Sequence, residues 1–170
     1  MNPLEFDAHT WEMLGRYLGA GLALGLGGIG AAVGMGNAAA AANAAISRQP
    51  QVQGSMLRTM LIGQAVGGSP SIFALVVGLP ILFVPANAGA PPGMLPAAFI
   101  GAGLSIGLGC LGSGWGCGWP AGTACEGTAR NPRHGTNIAS MMIIGQAVAQ
   151  SPSIFAAVVS RMLMFVPLSF

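Results

Sequence analysis

The longest uncharged stretch of the sequence places this chain in a membrane. From Thr59 to Cys125 there are 67 consecutive residues without Asp, Glu, Lys or Arg, and a helix that crosses the hydrocarbon core needs about 20 apolar residues. This stretch therefore predicts two crossings. Two further uncharged runs, Tyr17 to Ser47 and His134 to Ser160, each predict one more. We expect four transmembrane helices.

The composition excludes several other classes of protein. Only 6% of the residues are charged and 53% are apolar, which a soluble globular surface cannot accommodate. The basic residues are scattered arginines, so we expect no nucleic-acid partner. Cys110, Cys117 and Cys125 lie in one span with neither a C-x-x-C pair nor an adjacent His. We interpret them as small packing residues, and we expect no metal site and no cofactor.

The sequence contains the same unit twice. When the chain is aligned with itself at an offset of 82 residues, 16 of the 24 positions from Ile62 to Pro85 are identical to those from Ile144 to Pro167. Glycines and an Arg-x-Pro segment repeat at the same offset. Such agreement at a fixed spacing indicates a tandem duplication. Each copy holds two spans, so each is a helical hairpin, and both hairpins have the same orientation.

The distribution of charge predicts which side of the membrane each turn faces. The turns, at about 47–54 and 129–136, carry most of the arginines, whereas the other side has an acidic N-terminal segment and an uncharged linker. The positive-inside rule therefore predicts cytoplasmic turns and both termini on the opposite side. The expected organisation is an N-terminal segment at 1–14, hairpin 1 at 15–85, a linker at 86–96 and hairpin 2 at 97–170.

The first span of each hairpin is rich in glycine. Glycine costs about 1 kcal/mol in a helix interior, so this density predicts close contact between helix backbones. The glycines for which we predict such packing are Gly25, Gly27, Gly34, Gly36, Gly107, Gly109, Gly116 and Gly118. The second span of each hairpin is bulkier. A thin and a thick helix form a wedge, and wedges repeated in one orientation predict a ring with the glycine-rich helices inside.

Together, these features resemble the c-subunit, or proteolipid, family, which forms the rotor ring of rotary ATP synthases and vacuolar-type ATPases. The resemblance covers residues 15–170 and rests on the glycines, the two turns and the outer-helix sequence IGQAVAQS at 144–151. It implies an all-α integral membrane protein of four transmembrane helices, arranged as two tandem parallel hairpins that assemble into an oligomeric ring. Contact with the central stalk would fall on Arg48, Gln49, Pro50, Arg130, Asn131 and Pro132.

The resemblance also implies where an ion would be carried. In that family an outer-helix carboxylate near the membrane midplane lies between the alanine and the serine of the motif, and this chain has Gly68 and Gln150 there. Coordinating roles would fall on the Val148 carbonyl and the Ser151 hydroxyl, with Phe155 where sodium-carrying members have tyrosine. The other positions of this degenerate site are Val66, Ser69, Met35 and Cys117, the last two in place of an inner-helix glutamine.

Two prolines beside this site predict a break in each outer helix. Because proline has no N–H, Pro70 and Pro152 leave the carbonyls of Val66 and Val148 without a helical donor. At membrane depth such carbonyls need another partner. The candidates are the Gln150 amide, Ser69 or Ser151, a water molecule, or a bound cation. We favour a kink satisfied by neighbouring side chains over an ion site.

Glutamine cannot replace the carboxylate of that family. A carboxyl group is neutral when protonated and can neutralise a sodium ion, whereas an amide leaves the ion's charge uncompensated, at a cost of about 3 kcal/mol on insertion scales. Gly68 offers no side chain. We therefore expect a rotor-ring subunit of a rotary ATPase, for proton or sodium transport coupled to ATP synthesis or hydrolysis, that carries no ion and is not itself an enzyme.

The expected partners follow from the same resemblance. They are copies of this chain or carboxylate-bearing proteolipids in one ring, a stator subunit with an essential arginine, the central-stalk subunits and the lipid bilayer, with the bacterial inner membrane as the location. An alternative is a ring that has lost rotation and serves as a structural membrane component or pore. A third interpretation is that Gln150 was engineered from Glu to imitate the protonated state, with Gly68 leaving one site per chain.

Overall fold

The computed structural model describes residues 7–83 and 94–165, and within these ranges every regular element is helical. The α-helices are α1 (Ala8–Arg48), α2 (Gln53–Gly67), α3 (Ser69–Phe83), α4 (Met94–Arg130), α5 (Gly135–Ala149) and α6 (Ser151–Phe165). Two short 3-10 turns, Pro50–Val52 and Pro132–His134, join α1 to α2 and α4 to α5. Hairpin 1 is therefore α1 to α3, and hairpin 2 is α4 to α6.

Four stretches of helix are long and apolar enough to cross a membrane. They are His9–Arg48, Pro50–Phe83, Met94–Arg130 and Pro132–Phe165. This confirms the predicted all-α fold of two tandem hairpins with four membrane-spanning helices. The helix α1 has 41 residues, which corresponds to about 60 Å. Since the hydrocarbon core is about 30 Å thick, this helix is long enough to extend beyond it.

The two turns are built in the same way. Gln49 and Asn131 leave the helical conformation, with φ of -140° and -134°, and a proline follows each of them. Proline suits the first position of the next turn because its φ is fixed and its missing N–H needs no partner there. Both turns lie inside the ranges predicted for them.

Two helices begin earlier than the predicted segment boundaries. The helix α1 begins at Ala8, inside the predicted N-terminal segment 1–14, and α4 begins at Met94, inside the predicted linker 86–96. Pro96 is compatible with this start because the first turn of a helix needs no backbone donor. Residues 1–6, most of the linker and the last five residues lie outside the described ranges.

The two glycine-rich helices α1 and α4 pack backbone against backbone. A Cβ added to Gly118 would lie 2.5 Å from the Cα of Gly34, and one added to Gly114 would lie 2.5 Å from the backbone nitrogen of Ala31. Only glycine permits this distance between helix axes. The outer helices cover the α1–α4 pair, and the largest buried cluster consists of Ala20, Ala23, Ala74, Val77, Ile81, Phe99, Ala102, Ile106 and Cys110.

Arg16 joins the two ends of hairpin 1 on the side away from the turns. Its guanidinium donates to the carbonyls of Ile81 and Leu82 in the last turn of α3, both at 3.3 Å, and to the Glu12 carboxylate at 2.9 and 3.0 Å. It also lies 4.6 Å from the ring centre of Phe99. A cation at a helix C-terminus stabilises carbonyls that have no helical donor.

We expect Arg16→Gln to reduce the free energy of unfolding by about 1–3 kcal/mol, because a partly buried charged hydrogen-bond network is lost. Titration with denaturing detergent, followed by circular dichroism, measures this change. Arg161→Gln is the matched control, since Arg161 is exposed on α6, and it should leave the unfolding midpoint unchanged. Equal midpoints for the two variants would contradict a structural role for Arg16.

Candidate functional site at the breaks in the outer helices

Both outer helices are interrupted at the position where the resemblance expects a carboxylate. The helix α2 ends at Gly67 and α3 begins at Ser69, so Gly68 is the connecting residue, and Gln150 connects α5 to α6 in the same way. The cause is local. Pro70 and Pro152 cannot donate to the carbonyl four residues earlier, and this opens the helix at that point.

Serines close each break on its C-terminal side. The Ser71 hydroxyl donates to the Gly68 carbonyl at 2.7 Å, and the Ser153 hydroxyl donates to the Gln150 carbonyl at the same distance. The backbone N–H of each serine donates to the same carbonyl, at 3.2 and 3.0 Å. In hairpin 2 the Ser153 N–H also donates to the Ser113 hydroxyl of α4, at 3.1 Å. These bonds hold both breaks in a defined geometry.

The carbonyl that Pro70 leaves open in hairpin 1 is occupied by the glutamine of hairpin 2. The Gln150 amide donates to the Val66 carbonyl at 3.0 Å and lies 3.4 Å from the Ser69 hydroxyl. The Ser69 hydroxyl donates to the Val66 carbonyl as well. Of the candidate partners named from the sequence, the Gln150 amide and Ser69 are therefore the two that the structure places there.

The corresponding groups of hairpin 2 are in a different situation. Among the described residues no side chain donates to the Val148 carbonyl, and the Ser151 hydroxyl makes no hydrogen bond with them. The side chains of Val148 and Phe155 are exposed. These groups lie on the side of hairpin 2 that hairpin 1 does not cover. The two breaks are thus alike in backbone but unlike in hydrogen bonding.

The inner-helix positions of the predicted site carry sulfur instead of an amide. The Met35 sulfur lies 3.4 Å from where a Cβ of Gly68 would be, so the methionine side chain packs over the glycine. The buried Cys117 thiol lies 3.5 Å from the Gln146 carbonyl and is also hydrogen-bonded to the Gln150 side chain. Both predicted pairs, Met35 with Gly68 and Cys117 with Gln150, therefore come together.

A second pair of glutamines, one helical turn before the breaks, joins the helices, although the predicted site did not include it. Gln146 is fully buried, and its amide donates to the carbonyls of Gly63 at 2.9 Å and Cys117 at 3.0 Å. Gln64 donates to the Met35 carbonyl at 3.2 Å. The signal in the sequence is a repeated amide in an otherwise uncharged span.

We expect Gln146→Leu to reduce the free energy of unfolding by about 1 kcal/mol, because interhelical hydrogen bonds in membranes contribute about 0.6 kcal/mol each. Gln64→Leu is the matched variant, and it should cost about half as much because Gln64 makes one such bond within the chain. Detergent unfolding of both purified variants measures the difference. A Gln64 variant as destabilised as the Gln146 variant would contradict this assignment.

The remaining predicted residues divide into three groups. The six turn residues are all exposed, and Arg130 lies 3.8 Å from Glu126 in an ion pair. Of the glycines predicted to pack, six contact another helix: Gly27, Gly34, Gly107, Gly109, Gly116 and Gly118. Gly25 and Gly36 do not, since a Cβ on either would meet nothing within 4 Å. The packing predicted for these two glycines is therefore not made within one chain, because they lie on the uncovered side of α1.

Comparison with known proteins agrees with this architecture. The profile of the ATP synthase c-subunit family matches residues 18–81 and again residues 100–163, which is more than half of the chain. The two matches are separated by the same 82 residues as the internal repeat.

Curated relatives named as c-subunits of ATP synthase align with about one hairpin's length of the chain. The protein of Petrotoga mobilis is 48% identical over 71 residues, covering 42% of this chain and 74% of the relative. The protein of Thermotoga maritima is 43% identical over 77 residues, covering 45% of this chain and 91% of the relative. With four apolar helices and two family matches, this integral membrane protein belongs to the ATP synthase c-subunit family, in a form that contains the two-helix unit twice.

Proposed function

We propose that this chain is a rotor-ring subunit of a rotary ATPase that carries no ion itself. The observation that supports the proposal is the state of the two outer-helix breaks. At one, a neutral amide already donates to the Val66 carbonyl. At the other, Gly68 has no side chain and Met35 packs over it. Neither position can alternate between a neutral and an anionic form, which transport past a stator arginine requires.

A rotor-ring member of this kind alters the ratio of ions moved to ATP turned over. Moving one elementary charge through 100 mV corresponds to about 2.3 kcal/mol. A ring with fewer carriers moves fewer protons or sodium ions per revolution, so it gains less energy for ATP synthesis. The same ring lets ATP hydrolysis pump against a steeper gradient. The proposed role is therefore to shift a rotary ATPase toward pumping.

Assembly into a ring is supported by outer-helix residues that are equivalent in the repeat but differ in burial. Thr59 of hairpin 1 is 4% exposed, and its counterpart in hairpin 2, Met141, is 68% exposed. Val77 is 2% exposed and its counterpart Val159 is 48% exposed. Hairpin 2 covers these positions of hairpin 1. A further hairpin packed in the same way would cover Met141 and Val159.

The inner helices show the complementary pattern. Gly103, Gly107 and Gly118 of α4 contact α1, whereas their counterparts on α1, which are Gly21, Gly25 and Gly36, meet nothing within 4 Å. Each chain thus has one uncovered face of each kind, and the two faces match the contact already present inside the chain. Repetition of one heterologous contact produces a ring when the rotation closes.

The remaining parts of the proposal concern orientation and partners. The exposed arginine-bearing turns face the cytoplasm and contact the central stalk, and both termini lie on the opposite side of a bacterial inner membrane. The exposed apolar residues of the outer helices, such as Ile72 and Phe155, face lipid and pass the stator subunit that supplies an arginine. Carboxylate-bearing proteolipids in the same ring carry the ion.

Purification from native membranes, with native mass spectrometry of the ring, tests this function. We expect this chain to co-purify with the head and stalk subunits of an ATPase, in a ring that also contains carboxylate-bearing proteolipids. A ring isolated without ATPase subunits would contradict the rotor role and support a structural or pore function. A ring composed of this chain alone that still transports ions against a gradient would contradict the absence of a carrier.

A further inference from the structure

We propose that the subunit packed against hairpin 2 is not a second copy of this chain but a proteolipid whose outer helix carries a carboxyl group where this chain has Gly68. The proposal rests on the rotor-ring function proposed above and identifies the neighbour on one face. We call the contact between hairpins 1 and 2 the closed seam. We call the uncovered face of hairpin 2 that includes Met141, the Val148 carbonyl and Val159 the open seam.

The closed seam shows what this packing arrangement needs. Pro70 leaves the Val66 carbonyl without a helical donor, and Gln150, from the outer helix of the next hairpin, donates to it at 3.0 Å. The donor therefore comes from one particular position of the neighbouring hairpin. In the repeat, the position equivalent to Gln150 is Gly68.

The open seam presents the same acceptor without a donor. Pro152 leaves the Val148 carbonyl open, and within residues 7–83 and 94–165 no side chain donates to it. If a second copy of this chain packed there, it would bring Gly68, which has no side chain, and Met35, whose sulfur lies 3.4 Å from the missing Cβ. A thioether cannot donate a hydrogen bond. A second copy would therefore leave an unpaired carbonyl at membrane depth, which is costly.

A protonated carboxyl group at the same position would meet this need. Its O–H donates to the Val148 carbonyl in the way that the Gln150 amide donates to the Val66 carbonyl. The Ser151 hydroxyl, which is likewise unpaired among the described residues, lies beside this carbonyl in the sequence and supplies a further oxygen. The open seam thus fits an outer helix with a carboxyl group, and each such contact contains an ionisable group although this chain has none there.

A groove beside the open seam is consistent with a missing neighbour. It lies between α4 and α5 and is lined mainly by Pro120, Thr123, Ile138, Met141 and Met142. The repeat counterpart of Ile138 in hairpin 1 is Met56, which is buried in a cluster with Cys125 and Ala129 of hairpin 2. The corresponding residues of the next subunit would fill the groove in the same way.

Photo-crosslinking from the open seam in native membranes tests the proposal. The residue p-benzoylphenylalanine is placed at Val159, and the adduct is identified by mass spectrometry. Val158 is the matched control, because it is also valine and is 55% exposed, and its repeat counterpart Val76 is 49% exposed too. A position exposed in both hairpins faces lipid. We expect an adduct with a carboxylate-bearing proteolipid from Val159, and only lipid adducts from Val158.

Two other outcomes would have different meanings. An adduct between Val159 and hairpin 1 of a second copy would overturn the proposal about the neighbour while leaving the rotor-ring function intact. No proteolipid adduct from Val159, with lipid adducts only at both positions, would overturn the ring assembly itself, and with it the proposed function.

A second pair of variants tests the role of the Val148 carbonyl. Pro152→Ala restores the N–H that donates to this carbonyl within the helix, so the demand for an external donor disappears. We expect the yield of the mixed adduct from Val159, relative to the adduct between copies, to fall about five-fold or more, as the loss of one hydrogen bond implies. Pro70→Ala should leave this ratio unchanged. Equal ratios in the two variants would overturn the proposal.

Discussion

Replacing Gln150 by glutamate is expected to create a carbodiimide-reactive carboxyl group in a chain that otherwise has none near the middle of its outer helices. The new side chain would lie beside the Val66 carbonyl and the Ser69 hydroxyl, which are 3.0 and 3.4 Å from the Gln150 amide nitrogen. A protonated carboxyl group there donates to the same carbonyl, so the fold should tolerate the substitution. We expect the fraction of labelled chain to rise from near zero to near completion.

The design of this experiment separates the site from the simple presence of an acid. Gln64→Glu is the matched control, since it places the same carboxyl group one helical turn earlier, where the native amide donates to the Met35 carbonyl. Labelling is followed by peptide mass spectrometry, with and without sodium ions. Protection by sodium would indicate that the remaining oxygens bind that ion. A Gln150→Glu chain that folds but resists labelling would contradict the assignment of this position.

Replacing Gly34 by isoleucine is expected to separate α1 from α4 and to prevent folding of the chain. A Cβ at Gly34 would overlap the Gly114 carbonyl, and it would also lie 3.4 Å from the backbone nitrogen of Gly118. Because these neighbours are backbone atoms, no side-chain rotation can make space. Overpacking of this kind typically costs about 1–3 kcal/mol, occasionally more, even where side chains can move. Here we expect a loss of more than about 3 kcal/mol in detergent unfolding.

Gly36→Ile provides the matched control for this prediction. Gly36 is on the same helix, two residues away, but a Cβ there meets nothing within 4 Å in the single chain. We expect this variant to retain the unfolding midpoint of the native chain and to lose assembly into a ring, as measured by native mass spectrometry. A Gly36 variant that still forms the ring would show that the uncovered face of α1 is not an assembly surface.

The repeated pattern of the sequence was sufficient to predict the fold. The offset of 82 residues, the uncharged runs and the two Arg-x-Pro turns determine four helices in two parallel hairpins, because each of these signals is local. The prolines at positions 70 and 152 likewise predicted where the outer helices break. Length and hydropathy alone, however, could not show that α1 begins at Ala8 and α4 at Met94.

The contacts between helices were less accessible from the sequence. Which glycines pack depends on how each helix is rotated, and Gly34 and Gly36 differ in this respect although both belong to the same motif. The sequence identified Gln150 and Ser69 as candidate donors to the Val66 carbonyl, but the direction of the contact, from hairpin 2 to hairpin 1, requires the tertiary structure. The bonds between Arg16 and the end of α3 were not predicted, because Arg16 has no counterpart in hairpin 2.

The central claim, that this chain belongs to the rotor but carries no ion, is tested most directly by carbodiimide labelling of the intact ATPase from native membranes. Mass spectrometry of every proteolipid then shows where the label is. The account predicts that this chain remains unlabelled throughout its four membrane-spanning helices, while a second proteolipid in the same ring is labelled and ion transport stops. A label on any residue of this chain near the outer-helix breaks would contradict the account.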